Sequence, residues 1–174
     1  MTNEVIEAMC SRRSVRAFTD KRVSGEQLDA VLRAAVYAPS GMNRQPVTLA
    51  AVQDGQTVAL LSKLNAAVLG TQNDPFYGAG TVIAVLADKS APTYLEDGSL
   101  AMGNLLNAAY SLGIDSCWIH RAREVFESAE GKQLLCKWGV QGEPVGIGFC
   151  ILGFHAGEYP DAKPRREGTV IKII

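Results

Sequence analysis

The sequence predicts a single domain of mixed helices and strands around one core. Three observations carry that expectation. The chain has 174 residues, the length of one domain with a sizeable core. It is 47% hydrophobic and 20% charged, an ordinary balance for a soluble globular protein. The spacing of apolar residues switches repeatedly between the helical period, as in Leu28, Val31, Leu32, Ala35 and Val36, and short continuous runs such as Thr81–Ala87. No repeat, low-complexity tract or linker interrupts residues 1–174, so the whole chain reads as one domain.

Taken in order, the elements have local causes. Thr2 or Asn3 can cap a first helix running to about Ser11, with Val5, Ile6 and Met9 on one face. Ser24 and Gln27 form a capping box that opens a second helix, which Pro39 and Gly41 end. Val47–Val52 reads as a strand, and a helix follows near Thr57–Leu69. The continuous apolar run Thr81–Ala87 reads as a strand buried on both faces. Thr93 and Glu96 match a second capping box, opening a helix of about twenty residues that ends at Gly113. That helix is apolar nearly all round, through Leu95, Leu100, Met102, Leu105, Leu106 and Leu112, which predicts burial on every side. A partner subunit is one source of such cover, and the chain wrapping itself is the other. A strand at Ser116–Ile119, helices near Arg123–Ser128 and Glu130–Trp138, and a glycine-rich strand at Val145–Gly153 complete the body. The end, Thr169–Ile174, is strand-like and apolar, an edge that would be sticky if uncovered.

Net charge is −1, which argues against a protein built mainly to bind nucleic acid. The charge is concentrated, however. Residues 12–22 hold Arg12, Arg13, Arg16, Lys21 and Arg22 against Asp20, five positive charges against one negative, or +4. A local basic site on a near-neutral protein suits a small anion. No apolar stretch is long enough to span a membrane. Met1-Thr2-Asn3-Glu4 lacks the basic start and apolar run of a signal peptide, so the expected location is the cytoplasm. Cys10, Cys117, Cys136 and Cys150 form no close pair and are expected to be free thiols, the first, second and fourth as small core residues. With only two histidines, no metal site is expected.

Two segments carry the chemistry. Cys10-Ser11-Arg12-Arg13-Ser14-Val15-Arg16-Ala17-Phe18 places three guanidiniums and a hydroxyl on five consecutive residues. Guanidinium forks pair with phosphate oxygens two at a time. Ala38-Pro39-Ser40-Gly41-Met42-Asn43-Arg44-Gln45-Pro46, one helix later, is a turn rich in amides. Asn43 and Gln45 supply donors and acceptors to a polar ring edge, and Gly41 permits close backbone approach. Together they suit a phosphorylated, hydrogen-bonding aromatic ligand.

This pair of segments at this spacing resembles the nitroreductase family of FMN-dependent oxidoreductases, in its short branch. Gly113-Ile114-Asp115-Ser116-Cys117-Trp118-Ile119 and Lys163-Pro164-Arg165-Arg166 extend the resemblance over nearly the whole chain. It implies an α+β fold, a three-layer α/β/α sandwich around a central, mostly antiparallel sheet. It also implies a domain-swapped homodimer, with FMN at the interface and a C-terminal tail that reaches across. Arg12, Arg13, Ser14 and Arg16 would then hold the phosphate, the ribityl chain and the pyrimidine edge. Pro39, Ser40, Asn43 and Gln45 would come to the same flavin from the partner subunit. Lys163 and Arg165 match the phosphate clamp with Arg166 as a substitute, and the resemblance leaves open which of them binds. Glu167 stands where proline is common. Trp118, Ile119 and His120 would lie along the flavin N5 side. No residue is assigned as certainly catalytic; His120 is a candidate whose ring either faces the site or points to solvent. Arg44 could meet an anionic nicotinamide cofactor, and Phe76 or Tyr77 could stack on substrate.

The activity implied is ping-pong transfer of hydride from NADPH or NADH through FMN to a small-molecule acceptor, such as a nitroaromatic, a quinone or an activated alkene. Two alternatives stay open: a flavin-binding or redox-sensing protein without turnover, and a nucleic-acid patch on an inert fold.

Overall fold

The computed structural model describes all 174 residues, and its architecture is the expected three-layer sandwich. The helices are α1 Glu4–Ser11, α2 Gly25–Val36, α3 Gly55–Leu69, α4 Tyr94–Ser111, α5 Ala122–Glu127 and α6 Ala129–Lys137. The strands are β1 Val47–Val52, β2 Thr81–Asp88, β3 Asp115–Ile119 and β4 Pro144–Gly153. They pair antiparallel throughout in the order β1-β2-β4-β3.

Strand β2 sorts its side chains between two cores. Val82, Ala84 and Leu86 pack with Leu61 of α3, Val125 and Phe126 of α5, and Leu134 and Leu135 of α6. Ile83, Val85 and Ala87 face the other way, onto Leu28 and Val31 of α2 and Met102 and Leu105 of α4. The period-two alternation of a strand therefore builds helix, sheet and helix layers from one apolar run. Each fully buried aliphatic side chain contributes about 1.5–3 kcal/mol.

Local signals set most boundaries. Asn3, not Thr2, caps α1, its side chain accepting from the Ile6 N–H at 3.0 Å. The Ser24–Gln27 box forms both of its hydrogen bonds. Asp54 caps α3 and starts it two residues earlier than the periodicity suggests; the Thr57 hydroxyl and N–H hold its carboxyl below the usual range.

Four expectations need correction. Thr93 makes no capping box with Glu96, because its backbone is not extended and its hydroxyl instead donates to Asp97 one turn on, at 2.9 Å. Helix α4 is not covered all round by its own chain: Leu95, Leu100 and the C-cap Leu112 are exposed, since the sheet and α2 cover only part of it, and a partner subunit is the source of cover that stays open. Residues 169–174 form no strand within their own chain; Val170, Ile171, Ile173 and Ile174 lie exposed. Cys10 is exposed at the end of α1, whereas Cys117 and Cys150 are buried as expected; all four thiols are free. No helix is long and apolar enough to cross a membrane.

Candidate functional site

The basic segment begins where α1 stops. Arg12 leaves the helix with an extended backbone while its N–H still bonds the Ala8 carbonyl at 3.0 Å. The next residues lie along the free edge of β3: Ser14 bridges Ser116, and the Val15 N–H donates to the Ser116 carbonyl at 3.1 Å. Val15 is buried and pegs the segment to the body. The Arg13 guanidinium folds back, donating through Nη1 to the carbonyls of Cys10 at 2.8 Å and Arg12 at 2.7 Å. A cation at the end of a helix is well placed against the helix dipole. Arg16 is exposed and reaches only the Ser14 carbonyl, at 3.4 Å.

What this segment lacks is anionic company. The two ion pairs in the molecule are Lys89–Glu143 and His155–Asp115, so no carboxylate pairs with Arg12, Arg13 or Arg16. Arg12 Nη1 and Arg13 Nε are buried without any acceptor. Buried donors are normally satisfied, so two orphans on consecutive arginines mark a place for an anion. Burial pushes the neighbouring Cys117 thiol up, while the charges of Arg16 and Arg12 and the Ser14 hydroxyl pull it partly back. Cys117 therefore stays a neutral core residue beside the site.

The amide-rich turn is held under strain. Met42, Asn43 and Gln45 all adopt positive φ, at 51°, 53° and 50°. Such non-glycine conformations cost of order 1 kcal/mol or more each and persist only where surroundings over-determine them. Here the restraints are visible. The Gly41 N–H donates to Asp97 Oδ1 at 3.0 Å, the Gln45 N–H to Ser40 Oγ at 3.0 Å, and Gln45 Nε2 to Asn43 Oδ1 at 3.0 Å. A side chain at Gly41 would collide with Thr93. Asn43, Arg44 and Gln45 are thereby presented to the outside on a fixed turn, with Pro39 exposed ahead of them.

The third segment closes β3. Trp118 is exposed and its indole lies over Gly148, where any side chain would collide with it. Ile119 is buried. His120 has an exposed ring, and its carbonyl accepts from Asn65 Nδ2 at 2.7 Å. Arg121 then turns through positive φ, at 73°, to start α5.

Within one chain these segments do not all meet. The basic segment sits at the C-terminal end of α4, where Ser11 lines a cavity of about 710 Å³ with Tyr110, Ser111 and Tyr159. The amide turn is tied to the N-terminal end of α4 through Asp97. Asp97 and Ser111 are roughly 20 Å apart along the helix at 1.5 Å per residue. Lys163, Arg165 and Arg166 are exposed, on a tail without helix or strand that follows Tyr159. Phe76 is corrected: it is 1% exposed, with its ring 5.3 Å from Phe149, and so belongs to the core. Its neighbour Tyr77 is exposed, on a positive-φ residue of the same turn.

Asp97, Asn65 and Tyr159 were not singled out from the sequence. Asp97 and Asn65 left a trace there, as polar residues at core-facing positions of apolar helices. Tyr159 left none, because its partners lie far away in the chain.

Comparisons with known proteins place the chain among relatives of one family. The model of the nitroreductase family matches residues 9–75, which contain both the basic segment and the amide turn. The crystal structure of a Bacteroides fragilis nitroreductase with bound FMN superposes with a TM-score of 0.90 at 30% identity, over 99% of this chain and 100% of that one. An Archaeoglobus fulgidus protein provisionally named NADH dehydrogenase/NAD(P)H nitroreductase is 35% identical over 121 residues, 67% of each chain. The FMN reductase (NAD(P)H) of Bacillus subtilis is 44% identical over 62 residues, 36% of this chain and only 25% of that protein. With relatives at 35% identity over 67% of their length and at 30% identity over 100% of theirs, the chain belongs to the nitroreductase family.

Proposed function

We propose that this protein is an FMN-dependent NAD(P)H oxidoreductase acting as a homodimer, and that it is cytoplasmic. The observation that carries the proposal is the set of three arginines without a carboxylate partner, two of them with orphaned buried donors. That donor set fits a flavin phosphate, and the fixed, outward-facing amide turn fits the ring edge. When bound, FMN supplies the redox chemistry, accepting hydride from NADPH or NADH and passing two electrons to an acceptor.

Each residue has a role suited to its position. Arg12, Arg13, Ser14 and Arg16 grip the phosphate and ribityl chain, and a guanidinium at the pyrimidine edge stabilises negative charge there. Ser40, Asn43 and Gln45 of the partner subunit, set by Pro39, orient the ring. The backbone of Trp118, Ile119 and His120 lines the reactive edge. The His120 ring, being exposed, can deliver a proton to a reduced substrate. Arg44 attracts the anionic nicotinamide donor, and Tyr77 stacks on the acceptor. Lys163, Arg165 and Arg166 complete the phosphate clamp from the tail. The donor leaves before a nitroaromatic, quinone or activated alkene enters, so one face serves both half-reactions.

Unpartnered surface supports the dimer. Helix α1 buries no residue and exposes Val5, Ile6 and Met9; α4 and its C-cap expose Leu95, Leu100 and Leu112; the tail exposes four aliphatic side chains. A two-fold partner would cover these faces. It would also bring the amide turn of one chain to the arginines of the other, closing the gap of roughly 20 Å along α4.

An absorbance spectrum of the purified protein, followed by anaerobic NADPH and then NADH, tests this. Flavin bands that bleach are the expected result. Bands that persist with both donors would leave a flavin-binding protein without this activity. A colourless chain that takes up no added FMN would overturn the proposal.

A further inference from the structure

We infer that Tyr159 is a positioning residue of the arginine site, locking the Arg13 backbone to the point where the C-terminal tail departs, so that seating of the tail and binding of the flavin phosphate are coupled. The inference rests on the FMN reading above and adds to it a residue that touches no ligand.

The Tyr159 oxygen accepts the Arg13 N–H at 2.7 Å, across 146 residues of chain, and its O–H faces the Ser11 carbonyl at 3.5 Å. One phenol thus holds both ends of the turn that leads from α1 into the arginines. Burial pushes the phenol up, keeping it protonated and able to accept and donate at once. Its ring is wedged between two others: Tyr110 at the end of α4, with centroids 6.3 Å apart, and His155, edge-on at 5.6 Å. His155 is itself fixed. Its N–H donates to Asp115 Oδ2 at 2.7 Å, and its ring Nδ1 lies 2.8 Å from the same oxygen. Asp115 opens β3, whose next residue, Ser116, carries Ser14 and Val15. The contacts close a ring from Arg13 through Tyr159, His155 and Asp115 back to Ser14.

Tyr159 is also the last residue of the chain that is not fully exposed; from Pro160 onward every residue is exposed. Whatever pulls or seats the tail acts on the body first at this side chain. Coupling between two sites requires such a shared element, and it is reciprocal: a seated tail steadies Arg13, and an occupied arginine site steadies the tail.

The test is Tyr159→Phe, which keeps the ring packing and removes the hydroxyl. Amide hydrogen exchange is followed by NMR in the FMN-free protein, and FMN is then titrated by fluorescence quenching. The expected result is exchange of the Arg13 amide about 10-fold faster and an FMN Kd raised about 5- to 10-fold, the loss of one hydrogen bond. FMN should slow exchange of the 160–174 amides in wild type and do so less in the variant. Unchanged Arg13 exchange, or an unchanged FMN Kd, overturns the inference. A wild-type chain that binds no FMN overturns the functional reading instead, and the FMN-free exchange data still decide whether Tyr159 holds the segment.

Discussion

The Gly41 N–H donates to Asp97 Oδ1 at 3.0 Å, and the other oxygen of the same buried carboxylate accepts the Thr93 hydroxyl at 2.9 Å. One side chain of α4 therefore anchors the turn in which Met42, Asn43 and Gln45 hold positive φ. Asp97→Ala would leave the Gly41 N–H and the Thr93 hydroxyl without their acceptor, a loss on the order of 3 kcal/mol. That corresponds to roughly 6–12 °C in Tm for a domain of this size. The turn would relax toward ordinary backbone, so FMN affinity should fall with stability. Asp97→Asn keeps one acceptor oxygen and should lie between. Thermal melts and FMN titration of both variants check this; an alanine variant unchanged in both would refute the anchoring role.

How much of this was legible beforehand depends on how local each cause is. The Ser24–Gln27 cap, the two-faced burial of 81–87 and the spacing of the arginines and amides are short-range patterns, and the fold bears out that cap and the layers. Thr93-x-x-Glu96 had the letters of a cap, yet the Thr93 backbone, at φ −104° and ψ 21°, turns its hydroxyl to Asp97 instead. Phe76 looked like a loop aromatic because nothing local announces Phe149 opposite it. The Arg13–Tyr159 and Asp115–His155 contacts join residues 146 and 40 positions apart, which no periodicity encodes.

Asn65 is wholly buried, and only its nitrogen is used: Nδ2 donates to the His120 carbonyl at 2.7 Å, while Oδ1 has no partner. The donor is therefore the part that matters. Asn65→Ala should cost about 1–2 kcal/mol, since it removes the hydrogen bond that holds the His120 carbonyl. Asn65→Asp should cost more, because it replaces the donor by a second acceptor and buries a carboxyl group with nothing to pair it. Urea denaturation gives the order, and an aspartate variant as stable as the alanine one would contradict the assignment.

The thiols divide by exposure. Cys10 and Cys136 are exposed, and Cys117 and Cys150 are buried, with burial pushing both of the latter up. In the unfolded chain a thiol ionises near its ordinary value of about 8.5. A group raised on folding contributes stability that is intact below the unfolded value and is lost as pH climbs past it, because the unfolded state then sheds protons the native state retains. Stability should thus decline above about pH 8.5. Cys150→Ala should flatten that decline, whatever it costs by creating a cavity. Denaturant midpoints between pH 7 and 10 measure the slope, and parallel curves for the two proteins would dismiss Cys150 as its source. In the native state a disulfide reagent should find Cys10 and Cys136 quickly and the other pair only on unfolding.

The tail separates two contributions that the proposed dimer combines. Its aliphatic end, Val170, Ile171, Ile173 and Ile174, is exposed in one chain, and burying each side chain on a partner would contribute about 1.5–3 kcal/mol. Its cations, Lys163, Arg165 and Arg166, would act only on the flavin phosphate. Removing residues 160–174 should therefore weaken both assembly and FMN binding. Replacing the three cations by alanine should spare the dimer and raise the FMN Kd by about 10-fold or more, the scale of a charge-assisted hydrogen bond. Sedimentation velocity monitored at protein and flavin wavelengths reads both quantities in one experiment. A truncated chain that sediments as a dimer with full flavin content would remove the tail from the site and leave the arginines of the basic segment to hold the phosphate alone.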